Sequence, residues 1–288
     1  MSLSLMGEGK QGASPAGSGS RRSDQAASRL APSGFDPLRK LRHIDMFAGI
    51  GGFSLGLERT GGFETVRFLE KDNFCRRVLA KHWPEVRRDE DVTTAEYREG
   101  EADIITAGFP CQDLSYAGNG AGLSGARSGL FWEVVRAVRV VRPLYVLLEN
   151  VAALLDRGMG VVLGAMASSR YDAEWDCVPA VAVGAPCLRD RLFVVAYPNG
   201  TGRRGLEERN LFAQTGIAPP RRHHVDGLDL VEVGPWSSLP DVLRVDYGIP
   251  GTAHRLRAVG NSVHPTIPEK LGGAIRAAFS VPQLEAAE

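Results

Sequence analysis

The chemistry in this chain begins with a thiol, a carboxylate and a pair of guanidinium groups, each at a turn. Gly108-Phe109-Pro110-Cys111-Gln112 puts a cysteine in a Gly/Pro turn just beyond an apolar run. Such a thiol is either buried and inert or, as a thiolate, a nucleophile facing a crevice. Leu148-Glu149-Asn150-Val151 places a carboxylate just beyond another apolar run. It can act as an acid or base, or be one half of an ordinary ion pair. Arg189-Asp190-Arg191 sets two arginines on the same side of an extended chain, a hold for an oxyanion or a surface ion pair. Gly260-Asn261-Ser262-Val263 precedes a helical pattern, where Asn261 or Ser262 suits a helix-capping turn.

A further stretch reads as a binding turn. Asp45-Met46-Phe47-Ala48-Gly49-Ile50-Gly51-Gly52 ends an apolar run in glycines before a helix. Glycines let a backbone approach a ligand, and free N–H groups at a helix start suit a carboxylate or phosphate; the same residues also make a mere tight turn. Dinucleotide spacing is not met, because Ser54 stands where the third glycine belongs, which weighs against NAD and FAD. Glu70 follows Phe47 by 23 residues, a spacing suited to ribose hydroxyls, and Asp91 could accept from an adenine amino group. Either carboxylate alone is more often just a solvated group. Together with the glycine turn they point to an adenosine-containing cofactor.

These turns need a scaffold with its strand ends in one crevice. Apolar runs recur at His43–Phe47, Thr65–Leu69, Asp103–Ala107, Leu144–Leu148 and Arg191–Ala196. The first four are each followed by a stretch that can be helical: Phe53–Arg59, Phe74–Lys81, Leu130–Val141 and Gly160–Ser169. Alternating strands and helices predict βαβ units and a parallel sheet, which binds ligands at its carboxyl edge. Residues 1–36 are rich in Gly, Ser, Ala, Arg and Gln without apolar periodicity and read as a disordered tail. Residues 37–197 hold these alternating strands and helices; the family resemblance given below makes this the catalytic, cofactor-binding domain. Residues 198–252 carry many Gly, Pro and Arg residues, with a net charge of +3 over 203–224, and read as an insertion or small second domain. Residues 253–288 return to the catalytic domain, with a terminal helix at Thr266–Phe279.

Composition removes other classes. The chain has 288 residues, 34 Lys+Arg and 34 Asp+Glu, so nucleic-acid binding must rest on a local basic face and not on net charge. Its 43% hydrophobic residues suffice for a sizeable core. There is no apolar run long enough to span a membrane and no secretory pattern, so a cytoplasmic location is expected. The cysteines Cys75, Cys111, Cys177 and Cys187 form no CxxC pair and have no histidine at zinc spacing; reduced thiols and no metal site are expected.

FAGIGG, GFPCQ, ENV, RDR and GNSV, in this order, resemble motifs I, IV, VI, VIII and X of the DNA cytosine-5 methyltransferases. The resemblance covers about residues 42–197 and 253–280. It implies a doubly wound, Rossmann-like α/β fold that uses S-adenosylmethionine, with 198–252 as a short target-recognition region. It implies that Phe47, Gly49, Gly51, Gly52, Glu70, Asp91, Pro110, Leu130, Asn261 and Ser262 line the cofactor pocket. It implies that Cys111 adds to carbon 6 of cytosine, that Glu149 protonates ring nitrogen 3, and that Arg191, with Arg189 nearby, holds the exocyclic oxygen. The implied partner is double-stranded DNA with its cytosine flipped out, in a nucleoid-associated enzyme. A monomer is expected, since one flipped base needs no two-fold symmetry. Family habit adds a restriction endonuclease as functional partner.

The family has Gln two residues before the first motif VIII arginine, where this chain has Cys187. A clear motif IX is missing. An RNA (tRNA) cytosine-5 methyltransferase shares the motifs, but its CFT sequence is absent here. A catalytically silent cofactor- or DNA-binding homologue is opposed by the intact Cys111, Glu149 and Arg191. A cysteine hydrolase is a poor fourth, because the six histidines show no distinctive placement.

Overall fold

The structure, a computed structural model, describes residues 39–110, 129–185, 189–199, 211–217, 222–225, 228–231 and 252–280. In chain order the elements are β1 (Leu41–Met46), α1 (Gly52–Arg59), β2 (Phe63–Leu69), α2 (Asn73–His82), β3 (Arg87–Asp89), β4 (Ile104–Gly108) and α3 (Gly129–Val141). They continue with β5 (Tyr145–Val151), α4 (Leu154–Arg157), α5 (Met159–Ser168), β6 (Tyr171–Pro179), β7 (Asp190–Pro198) and α6 (Leu211–Gln214). A two-stranded hairpin, β8 (Arg222–Val225) with β9 (Leu228–Val231), and helices α7 (Thr252–Asn261) and α8 (Thr266–Ser280) complete them.

The main sheet has seven strands in the order β3-β2-β1-β4-β5-β7-β6. The strands β3, β2, β1, β4 and β5 are parallel, as expected for βαβ units. The chain reverses direction from β1 between β2 and β4, which makes the crevice above β1 and β4 the topological switch point. One expectation is corrected here. The sheet is mixed, because β7 runs antiparallel to both β5 and β6. A β6–β7 hairpin connects neighbouring strands without a crossover helix, and it brings the amino end of β7 to the carboxyl end of β5. The sequence reading also missed β6 and α7, although β6 alternates Asp172, Glu174 and Asp176 with Tyr171, Ala173, Trp175 and Cys177, the period of a strand with one polar face.

Alternation along the strands divides the core. Ile44, Met46, Ile105, Ala107, Val146, Leu148, Leu192 and Val194 face α3 and α5 in one continuous cluster. The opposite face meets α1, where Phe53 packs edge-on against Phe193 of β7 at 6.4 Å. Between β1 and β2 the register slips by one residue, so Thr65 stands opposite His43 but Arg67 stands opposite Ile44. This bulge turns Arg67 to the α3 face. Its guanidinium, only 1% exposed, pairs with Asp89 and Glu101 and lies 5.0 Å from the Tyr97 ring. Arg136 of α3 donates to the carbonyls of Val92 and Ala95. These contacts hold the segment after β3 that carries Asp91.

The domain containing the sheet is closed by the C-terminal segment. Gly52 and Gly56, one turn apart on α1, form the groove for it: a Cβ would sit 2.4 Å from the Val263 carbonyl oxygen at Gly52 and 2.2 Å from that of Pro265 at Gly56. Part of the expected recognition region also packs here. Leu211 and Phe212 of α6 are buried, and the Leu211 N–H donates to Glu174 of β6. The expected N-terminal tail and most of 198–252 lie outside the described residues.

Candidate active site

The carboxyl ends of β1 and β2 bring the glycine turn and Glu70 together. The Gly49 N–H donates to Glu70 Oε2 at 2.7 Å, and Oε1 accepts from the Asp72 N–H at 2.7 Å. Glu70 therefore buttresses the turn, and each of its oxygens keeps the capacity to accept a further hydrogen bond. The turn needs left-handed backbone at Phe47 (φ 55°), Gly49 (φ 56°) and Gly51 (φ 87°). The three glycines have separate reasons to lack a side chain. A Cβ on Gly51 would meet the Trp83 ring at 2.8 Å, and one on Gly52 would meet Ser262 and Val263. Gly49 alone of the three has nothing within 4 Å of that position. Open space for a ligand therefore lies over Gly49.

Beneath the turn is a polar cluster that the sequence reading missed. Asp45 is fully buried and accepts from the Ser54 hydroxyl at 2.8 Å and the Thr106 hydroxyl at 2.9 Å. His43 Nε2 lies 2.8 Å from Thr106 Oγ1, and Nδ1 lies 3.3 Å from Thr65 Oγ1. Thr106 donates to Asp45, so it accepts from His43 Nε2–H, and Nδ1 accepts from Thr65. Burial pushes the Asp45 carboxyl up to about 7 and the His43 imidazole down to about 3. Polar residues alternating along an apolar strand, as in His43-Ile44-Asp45-Met46, were the available signal.

One row further along the sheet, Gly108 pairs with Glu149 and Glu149 with Phe193. Glu149 is thus inside β5 and not beyond its end; the strand runs to Val151 because β7 supplies a partner as far as Arg191. Glu149 is 8% exposed, and Arg191 Nε stands 2.9 Å from its Oε1. Burial raises the Glu149 carboxyl above its ordinary value, opposed by the charges of Arg191 and Arg189. Gly108 leaves the space above it clear, since a Cβ there would reach Glu149 Oε2 at 3.4 Å.

The other expected residues are more scattered. Arg189 donates to the Gly260 carbonyl in the last turn of α7, a favourable place for a cation, so the two arginines have different partners. Asp91 lies two residues past β3, and its Oδ1 accepts from the Thr93 N–H and hydroxyl, which hold its carboxyl below the usual range. Phe47 and Leu130 both pack at the margin of the α3-side core. Asn261 is the exposed last residue of α7, not a cap of α8, while Ser262 meets the glycine turn at Gly52. Pro110 is exposed at the end of a described segment, and Cys111 and Cys187 lie outside the described residues. Among the described residues no His/Cys/Asp/Glu group could hold a metal ion.

The family model for the C-5 cytosine-specific DNA methylases matches residues 41–221, from the first strand of the sheet through the arginine pair. The chain belongs to this family. Similar relatives include the Type II methyltransferase M2.BsuMI of Bacillus subtilis (strain 168), 36% identical over 54% of this chain and 42% of that protein. Another is M.Sau3AI of Staphylococcus aureus, 33% identical over 56% of this chain and 44% of that protein. A third is M.HhaI of Haemophilus parahaemolyticus, 33% identical over 63% of this chain and 58% of that protein. The chain thus spans less than half the length of the first two relatives. The mixed sheet is that of an α/β S-adenosylmethionine-dependent methyltransferase fold, so the doubly wound architecture expected of this chain is correct in class.

Proposed function

We propose that this chain transfers a methyl group from S-adenosylmethionine to carbon 5 of a cytosine in double-stranded DNA. The observation that carries this reading is buried Glu149, ion-paired with half-buried Arg191 and standing opposite Gly108, three residues before Cys111. Carbon 5 is a poor nucleophile until carbon 6 carries an electron donor. Cys111 is the donor: its thiolate adds to carbon 6, and the electron density pushed into the ring is met by a proton from Glu149 at nitrogen 3. Burial keeps that proton on Glu149 at higher pH than for a solvated carboxyl. Arg191 steadies Glu149 through an ion pair and offers its remaining N–H groups to the exocyclic oxygen. The carbon 5 proton then leaves to solvent, the thiolate departs from carbon 6 and the nitrogen 3 proton returns to Glu149, which restores the ring and the enzyme.

The glycine turn fits the cofactor. Its open face over Gly49, the further accepting capacity of Glu70 and the uncapped start of α1 suit a group with a carboxylate and ribose hydroxyls. Phe47, Leu130, Asp91 and Ser262 would border it, and Asp91 would reach the adenine amino group. When bound, this group supplies an electrophilic methyl. A cytosine must leave its stack to reach Glu149, at a cost of a few kcal/mol. The arginines of 203–222 are the residues for phosphate and guanine contacts. The enzyme acts as a cytoplasmic, nucleoid-associated monomer, with a restriction endonuclease as functional partner. No described helix is long and apolar enough to cross a membrane.

The test is transfer of a labelled methyl group from S-adenosylmethionine to unmethylated DNA. Label in DNA and none in tRNA supports the reading. Transfer to tRNA alone would replace the substrate.

A further inference from the structure

Glu149 and Asn150 are neighbours on β5 and point to opposite faces, and only Glu149 has a part in the reaction as described so far. Asn150 is 4% exposed, on the face that otherwise holds the apolar α3-side core. Its Nδ2 donates to the Phe109 carbonyl at 2.9 Å, and its Oδ1 accepts from the Val151 N–H at 2.9 Å. A buried amide is costly unless both ends are engaged, and both are. The β4–β5 ladder ends at Gly108 opposite Glu149. The Phe109 carbonyl is therefore the first past the ladder, and the Asn150 amide takes the place of the missing backbone donor. The Phe109 ring is fixed as well: it is 3% exposed and packs 5.1 Å from the Phe131 ring of α3. Phe109 is held by its ring and its carbonyl, two residues before Cys111.

We propose that Asn150 is a positioning residue for the Cys111 thiol, fixing the direction in which the chain leaves β4 so that nucleophile and acid are set from adjacent residues of one strand. The inference rests on the reading of Cys111 as the nucleophile. Misplacing a reacting atom by an ångström is enough to slow a reaction strongly, so the effect falls on the addition step and not on cofactor binding.

Asn150→Asp tests this, because it keeps the shape and removes the donor. An ionised Asp at 150 would oppose the Phe109 carbonyl; a protonated one would donate to it. Burial favours the protonated form as the pH falls. The titratable side chain that register brings towards that face is Cys177, whose thiol burial holds protonated, while Glu149 and Arg191 are on the other face. The readout is release of tritium from carbon 5 of cytosine in DNA without any methyl donor. Reversible addition of the thiolate lets carbon 5 take a solvent proton and lose tritium before the thiolate leaves. Relative to the parent at the same pH, we expect Asn150→Asp to be about 30-fold slow near pH 8 and within about threefold near pH 6, with Asn150→Ala slow at both. The S-adenosylmethionine affinity of Asn150→Asp should stay close to the parent's, and so should its thermal midpoint near pH 6, where the buried carboxyl is protonated. Parental rates near pH 8 in both variants would overturn the proposal, as would a loss in Asn150→Asp that acid does not relieve. A parent that releases no tritium would instead overturn the role of Cys111, and this inference with it.

Discussion

Arg191 Nε lies 2.9 Å from Glu149 Oε1, yet that buried oxygen has no hydrogen-bond partner among the described residues. The contact is one of charge and not of alignment. Arginine thus steadies the carboxyl without closing off its hydrogen-bonding capacity. Two opposing effects set the proton: burial raises the Glu149 carboxyl, and the arginine charges lower it by less.

Glu149→Gln should slow single-turnover methylation by about 10²–10⁴-fold, because the amide has no acidic proton to give. In the parent, the rate should fall as pH rises through the raised Glu149 value. Arg191→Met removes the charge that opposes burial, so its alkaline limb should move to higher pH while its maximum rate drops. Single-turnover rates across pH check both, and an unmoved limb in Arg191→Met would contradict the pairing.

Gly49→Ala and Gly52→Ala should fail differently. At Gly49 the space is open but φ is 56°, so alanine costs about 1 kcal/mol of strain and intrudes on the cofactor. At Gly52 the new Cβ would collide with the Val263 carbonyl, 2.4 Å away, and push the C-terminal segment off α1. We expect Gly49→Ala to weaken S-adenosylmethionine binding with a small change in thermal midpoint. Gly52→Ala should lower the midpoint far more. Calorimetry and thermal unfolding of the two side by side decide this, and equal midpoints would contradict it.

Asp45 and His43 should give opposite pH dependences of stability that cancel. Between about pH 4 and 6.5 the folded chain keeps the Asp45 proton that the unfolded chain releases, so this contribution falls with rising pH and is gone above about 7. His43 is neutral when folded and charged when unfolded, so its contribution is complete above 6.5 and is lost as pH falls towards about 3. Asp45→Asn leaves only the second. Its unfolding free energy, relative to the parent's, should drop by roughly 1.4 kcal/mol per pH unit from about pH 6.5 to about pH 4. Urea unfolding at stepped pH measures the difference; parallel profiles would refute the coupling.

Elements with an unbroken period were legible in the chain. The strand at His43–Phe47 and the helix at Leu130–Val141 appear within a few residues as β1 and α3. The antiparallel β7 was not legible, since Arg191–Ala196 reads the same in either direction, and its direction follows from pairing with β6 and β5. At the site, residue types at turns pointed to Glu149, Glu70 and the glycines. They did not show that Gly51 and Gly52 make room for Trp83 and Val263, because those contacts join distant segments. Nothing in the sequence around Asn150 shows a role for it; only the fold puts the Phe109 carbonyl beside it.

The central claim is most directly tested by base-resolution sequencing of 5-methylcytosine in DNA from a methylation-free host expressing this chain. The account predicts methylation at one short sequence context, abolished by Cys111→Ser while that variant still binds S-adenosylmethionine. Undiminished methylation in Cys111→Ser, or none from a soluble parent that binds S-adenosylmethionine, would contradict it.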